Sequence, residues 1–124
     1  MKKFITILIL TISPLFLSQD IENCQQSPIN EFKWYTNLQS AITQSQLVNK
    51  PILLFFTGSD WCFWCQKLQK EVFLTDGFKN WAKENVVLME IDFPKSKILS
   101  DSIIRQNDQL KLGFSIKGLP TIHF

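Results

Sequence analysis

The stretch SDWCFWCQKLQKEVF, residues 59–73, decides how the rest of the chain is read. Cys62 and Cys65 stand two residues apart, with Phe63 and Trp64 between them and Trp61 before them. Cys65, Leu68 and Val72 then recur at the spacing of one helix face, while Gln66, Lys67 and Lys70 fall elsewhere on the wheel. Immediately upstream, ILLFF (residues 52–56) is short and wholly apolar, as a strand buried on both faces of a sheet reads. Thr57, Gly58, Ser59 and Asp60 form a turn between the two, with polar side chains able to cap the coming helix. The cysteine pair therefore lies where a buried strand gives way to a helix.

Working outward, FKWYT (residues 32–36) reads as a first strand. Asn37 is placed to cap a helix with Leu38, Ala41 and Ile42 inward. That helix ends near Asn49, because Pro51 disfavours helical geometry at Lys50. Thr75 or Asp76 opens a further helix with Phe78, Trp81 and Ala82 inward. VVLMEID (residues 86–92) is a second buried strand, broken by Pro94. Residues 100–112 form another helix, closed by Gly113. GLPTIHF (residues 118–124) starts as a turn and becomes a strand. Strands alternating with helices predict an α/β fold: a central mixed or parallel sheet with helices on both faces. The chain has 124 residues, room for one domain, and 45% are apolar, enough for a core.

Residues 1–18 carry Lys2 and Lys3, then an apolar stretch broken by Pro14, the layout of a cleaved signal peptide. An uncleaved membrane anchor is the alternative, although the stretch is shorter than the roughly 20 residues of a spanning helix. Residues 19–31 read as a polar linker, and the domain as residues 32–124. The formal charge of +2 comes from Lys2 and Lys3, so the remainder has 11 basic against 11 acidic side chains. No basic patch stands out, which argues against nucleic acid as a partner. Export, periplasmic or secreted, allows disulfides to persist. Of three cysteines one is left over from any single bridge, and Cys24 in the linker reads as a free thiol.

Three chemistries compete for Cys62 and Cys65. Structural zinc needs four ligands, and the chain adds only Cys24 and His123, both distant in sequence. No metal is therefore expected. A permanent disulfide over so short a loop would constrain the unfolded chain little. The third reading is a redox pair. At a helix start, free N–H groups and the helix dipole favour a thiolate, lowering a thiol pKa from about 8.5. Such a thiolate attacks a disulfide in another protein, and a second thiol one turn on resolves the mixed disulfide. Trp61, Phe63 and Trp64 would surround the pair with apolar surface for docking extended chains.

These residues resemble the thioredoxin superfamily. WCFWC matches its W-C-x-x-C, and GLPT matches the turn whose proline is cis there. KPILLFFTGSDWCFWCQKLQKEVF and NVVLMEIDFP are most similar to exported bacterial thioredoxin-like proteins and to the thioredoxin-like end domain of thiol:disulfide interchange proteins. The resemblance implies that Cys62 is the nucleophile and Cys65 the resolving thiol. It also implies that Pro120 is the cis-proline, and that Leu119 pairs with a substrate strand. It further implies that the family's final strand and helix are lacking here, so the domain is expected to be C-terminally incomplete.

Two further departures bear on mechanism. The family's buried acid, which takes the resolving thiol's proton, falls here on Phe55 or Phe56. Asp60, Glu71 or water is expected to replace it. The residues between the cysteines are neither Gly-Pro nor histidine-bearing, which leaves the potential open within about −270 to −120 mV. The absence of a nearby cation favours a reductase or isomerase. The expectation is thus an exported protein thiol–disulfide oxidoreductase without cofactor, monomeric. It would act on disulfide-containing proteins and be recharged by a membrane or soluble thiol partner. The competing reading is a non-catalytic thioredoxin-like binding module or chaperone for extended chains.

Overall fold

The computed structural model describes residues 32–124; the signal, the linker and Cys24 lie outside the described residues. Two parallel strands form its centre, β2 (Ile52–Thr57) and β3 (Val87–Asp92), in register from Ile52 opposite Val87 to Thr57 opposite Asp92. A short strand β1 (Trp34–Tyr35) extends the sheet parallel to β3. On the other side β4 (Thr121–His123) runs antiparallel to β2, giving the order β1-β3-β2-β4.

The unbroken apolar run of β2 divides between two cores because strand side chains alternate across the sheet. Leu53 and Phe55 face one way, with Leu88 of β3. Leu54 and Phe56 face the other, with Val87, Met89 and Ile91. Helices α1 (Leu38–Val48) and α4 (Asp101–Gly113) cover the second face through Leu38, Ala41, Val48 and Leu110. The first face is covered by α2 (Phe63–Leu68), a π-helical turn (Gln69–Phe73) and α3 (Asp76–Asn85). Their contributions are Cys65, Leu68, Phe73, Phe78 and Ala82. The two-sided mixed sheet expected from the alternation is what forms.

Helix starts follow the expected capping chemistry. The Asn37 side chain accepts the Ser40 N–H at 2.9 Å, and Thr75 and Ser100 accept N–H groups of Phe78 and Ile103. Gln106 ties α4 to the start of α1, its Oε1 accepting the Leu38 N–H and its Nε2 donating to the Thr36 carbonyl. Buried Asn107 donates to the carbonyl of Asp92 and so fixes α4 to the end of β3.

Four local expectations are corrected. β1 is two residues long and leaves Phe32 outside it, packed at the core margin. Val72 is exposed and Phe73 is buried in its place. The π turn closes i to i+5 instead of i to i+4, so it inserts one residue and rotates the apolar face by one position. Trp81 is 46% exposed, with one side against Phe78 at 5.7 Å between ring centroids and the rest open. Gly113 lies inside α4, whose cap is Phe114; the left-handed residue is Ser115, at φ 52°.

Candidate functional site

The strand-to-helix corner is a tight structure built on Gly58. Its carbonyl accepts the N–H groups of Trp61 at 3.2 Å and Cys62 at 2.8 Å. The Trp61 indole lies directly over Gly58, so close that a Cβ there would sit 2.5 Å from the ring. Glycine is thus required by the approach of the ring, not by an unusual backbone angle. Cys62 remains extended, at φ −85° and ψ 102°, and is the N-cap of α2. Its sulfur accepts the backbone N–H of Cys65 at 3.3 Å. An N–H aimed at sulfur favours the anionic form whenever that sulfur is reduced.

Cys62 and Cys65 are joined as a disulfide, with their Cα atoms 5.2 Å apart. Cys62 is 6% exposed and Cys65 1%, so Cys62 is the one nearer solvent. Behind them an aromatic wall closes the first core. Trp34, Phe55 and Phe73 stack mutually with centroids 4.8–5.8 Å apart, and Phe78 adds to Phe73 at 4.8 Å. Phe55 belongs to the core that buries the two cysteines, whereas Phe56 belongs to the opposite one. The apolar replacement on the cysteine side of β2 is therefore Phe55.

The corner is latched to the segment after β3. Asp92 accepts the Ser59 N–H at 2.9 Å and its hydroxyl at 2.6 Å. Lys97 reaches both the Ser59 hydroxyl, at 2.8 Å, and Asp92, at 3.8 Å. Trp61 donates its indole N–H to the Phe93 carbonyl at 2.7 Å, and the Lys95 ammonium lies 4.3 Å from its ring. Asp60 accepts backbone N–H groups of Lys95 at 3.0 Å and Ser96 at 2.6 Å. Those bonds, Lys95 first, hold the Asp60 carboxyl below the usual carboxylate range.

Neither acid singled out from the sequence is engaged with the cysteines. Asp60 is committed to the latch, and exposed Glu71 pairs with Lys67 at 3.9 Å on the outer helix surface. Two acids not singled out do share the cysteine face. In residues 87–92 the side chains of Leu88, Glu90 and Asp92 alternate with those of Met89 and Ile91, and Leu88 lies in the core with Cys65. The period of two along VLMEID carries that signal once the strand is assigned. Burial, then the nearby Asp92 charge, push the Glu90 carboxyl above its ordinary value, against the pull of Lys97.

The remaining candidate residues gather at the same end of β2. The Leu119–Pro120 peptide bond is cis. Thr121 pairs with Phe56 and Ile122 with Phe55, a register that carries Pro120 to the level of Thr57, where the corner begins. Half-buried Leu119 packs against both cores. Phe63 and Trp64 meet edge-on at 5.3 Å on the exposed side of α2, 66% and 62% exposed, and Trp61 is 44% exposed. His123 lies on exposed β4 with its ring 4.7 Å from Phe114. Among the described residues, no three of His, Cys, Asp or Glu are grouped so as to hold a metal ion.

Comparison with known proteins agrees with this geometry. Residues 33–124 match a family model described as thioredoxin-like. The chain is 36% identical to Disulfide bond reductase DsbH of Chlamydia pneumoniae over 106 residues, covering 83% of this chain and 63% of that protein. It is 30% identical to Thioredoxin-related protein DsbJ of the same organism over 100 residues, 81% of this chain and 29% of that one. A solved structure titled DsbH Oxidoreductase superposes with a TM-score of 0.69 at 34% identity, over 74% of this chain and 63% of that one. A thioredoxin from Thermus thermophilus superposes with a TM-score of 0.55 at 16% identity, over 73% and 62%, and shows the fold alone. The chain thus spans 63% of the length of the curated DsbH that it matches.

Proposed function

This chain belongs to the thioredoxin-like family, and on that premise we propose that it is an exported thiol–disulfide oxidoreductase acting on protein disulfides. The observation that carries the reading is the Cys62–Cys65 pair at the strand-to-helix corner, with the Cys65 N–H on the Cys62 sulfur. Cys62 is the attacking sulfur because it is the N-cap and the less buried of the two. Its thiolate attacks a substrate disulfide and releases one substrate sulfur as a thiolate. Cys65 then attacks Cys62 within the same helical turn, freeing the second substrate sulfur.

Leu119 and Pro120 form the ledge on which an extended substrate segment would pair, and Trp61, Phe63 and Trp64 the apolar surface around it. The reductase or isomerase direction is favoured by the single cap bond on Cys62 and by the absence, among the described residues, of a cation on either sulfur. The similarity to a protein named a disulfide bond reductase supports the same direction. A membrane or soluble thiol partner returns electrons to the pair. The leader of residues 1–18 directs the chain out of the cytoplasm, and in the exported compartment it works as a monomer.

The exposed aromatics also favour a second reading, a binding module for extended chains in which the cysteines are passive. Full-length protein and Cys62→Ser, compared in reduction of a disulfide-linked polypeptide with a thiol donor, separate the two. The variant is expected to lose at least about 10³-fold of the rate, since the nucleophile is gone. Equal rates would leave only the binding module.

A further inference from the structure

Once Phe55 occupies the cysteine side of β2, the resolving step lacks an acid on that strand. The proton on Cys65 must still leave before its sulfur can attack Cys62. Four carboxylates of the described residues bear on this question. Asp60 and Asp92 are committed to the latch and Glu71 to Lys67. The fourth, Glu90, is the direct cross-strand partner of Phe55.

Side chains paired across a parallel ladder share a face. The neighbouring pairs bear this out, Leu53 with Leu88 in one core and Phe56 with Ile91 in the other. Glu90 thus flanks Phe55 on the face where Cys65 is buried, and it is itself half-buried. No hydrogen bond to another described residue holds its carboxyl.

We propose that Glu90 is the proton acceptor for Cys65, standing one strand over from Phe55, at the edge of the core that buries the resolving thiol. The inference rests on the oxidoreductase reading above. In the mixed disulfide between Cys62 and substrate, the Cys65 thiol gives its proton through a water to the Glu90 carboxylate. The Cys65 sulfur attacks the Cys62 sulfur, and the Cys62–Cys65 bond forms. The bond from Cys62 to substrate breaks, and the substrate sulfur leaves with the electron pair. The cysteine pair is oxidised, the substrate is reduced, and the proton passes from Glu90 to the departing thiolate or to solvent.

The surroundings suit a group that gains and loses a proton. Desolvation, then the Asp92 charge, raise the Glu90 carboxyl above its ordinary value and so make it a better proton acceptor than an exposed carboxylate, and Lys97 opposes this. From the other elements on this face, β2 presents Phe55 and α3 presents Phe78 and Ala82. The α3 cation Lys79 is turned to the Phe32 ring, 5.8 Å away.

The test uses reduced full-length protein and the probe 5,5′-dithiobis(2-nitrobenzoate), whose two coloured thiolates are released in sequence. The first release reports attack by Cys62, and its absence sinks the oxidoreductase reading itself. The second release reports resolution by Cys65. Glu90→Gln is expected to leave the first release unchanged and to slow the second about 10-fold at weakly acidic pH. That is less than the 10²–10⁴-fold typical of a base in direct contact, because water bridges the step. The two proteins converge at alkaline pH, where Cys65 ionises unaided, and Glu90→Asp recovers part of the loss. Superimposable pH profiles for the second release overturn the proposal. If Glu90→Gln does not fold, carbon-13 NMR titration of the wild-type Glu90 carboxyl decides. Its midpoint is expected to rise on reduction of the pair, and identical midpoints in both redox states overturn the proposal.

Discussion

At the scale of single residues, the cysteine pair was legible from its spacing together with the buried strand before it and the helix after it, and Gly58 was legible as a turn residue. Its specific reason, an indole lying over it, was not, because that contact depends on where Phe93 and Lys95 hold the ring. The two acids that matter most locally, Asp60 and Glu90, shift in opposite directions. Asp60 is held low by N–H bonds from Lys95 and Ser96, so its contribution to stability is present above the ordinary aspartate value. It is lost as pH falls through the depressed value. Glu90 is held high by burial, so ionising it opposes folding; its favourable contribution is present at acid pH and lost as pH rises through the raised value. Thermal unfolding of Asp60→Asn and Glu90→Gln across the acid-to-neutral range should therefore diverge. Asp60→Asn should lower Tm near neutrality, with the gap closing towards acid. Glu90→Gln should raise Tm near neutrality, with its gap also closing towards acid. A constant offset for either variant would mean that its carboxylate is not perturbed as described.

At the scale of elements, helix and strand identities followed from periodicity and caps, and both faces of the sheet were legible in the unbroken run of residues 52–56. What periodicity could not show was the π turn, since one extra residue per turn leaves the composition unchanged. Its consequence is a change of which side chain carries the packing. Val72 continues the i, i+3, i+7 pattern and is exposed; Phe73, one position on, is 2% exposed and touches Trp34, Phe55 and Phe78. Phe73→Ala should then cost about 3–5 kcal/mol, as for other buried aromatics cut to alanine. Val72→Ala should stay within about 0.5 kcal/mol, as for a surface change. Urea midpoints of the two variants measure this directly. The reverse ranking would mean that an ordinary α-helix, with Val72 inward, persists in solution. The same turn lies directly after the helix that carries Cys65, so loss of Phe73 should also loosen the wall behind Cys65.

At the scale of the whole molecule, the redox state of one four-residue loop is coupled to the stability of both cores. Closing so short a loop removes little freedom from the unfolded chain, about 2 kcal/mol at 25 °C by the loop-entropy relation, against about 3 for a 15-residue loop. In the disulfide form the Cys65 N–H already lies on the Cys62 sulfur at 3.3 Å, and once the pair is reduced the same N–H would become charge-assisted and return part of this to the reduced protein. Forming the disulfide in the folded and unfolded chain closes a thermodynamic cycle. The stability gap between oxidised and reduced protein is therefore also the shift of the pair's potential from that of an unfolded dithiol, at about 30 mV per 1.4 kcal/mol. With one sulfur bond favouring the reduced state and no cation on either sulfur among the described residues, the entropy of closure should win. The oxidised protein is expected to be the more stable form by about 1–2 kcal/mol, which places the pair on the reducing side. Equilibrium urea unfolding with and without excess dithiothreitol reads the gap. A strong oxidant shows the opposite order, with the reduced form more stable, because its thiolate is held by interactions that the disulfide lacks. That order here would reverse the direction of electron flow proposed for this chain while leaving the roles proposed for Cys62 and Cys65 intact.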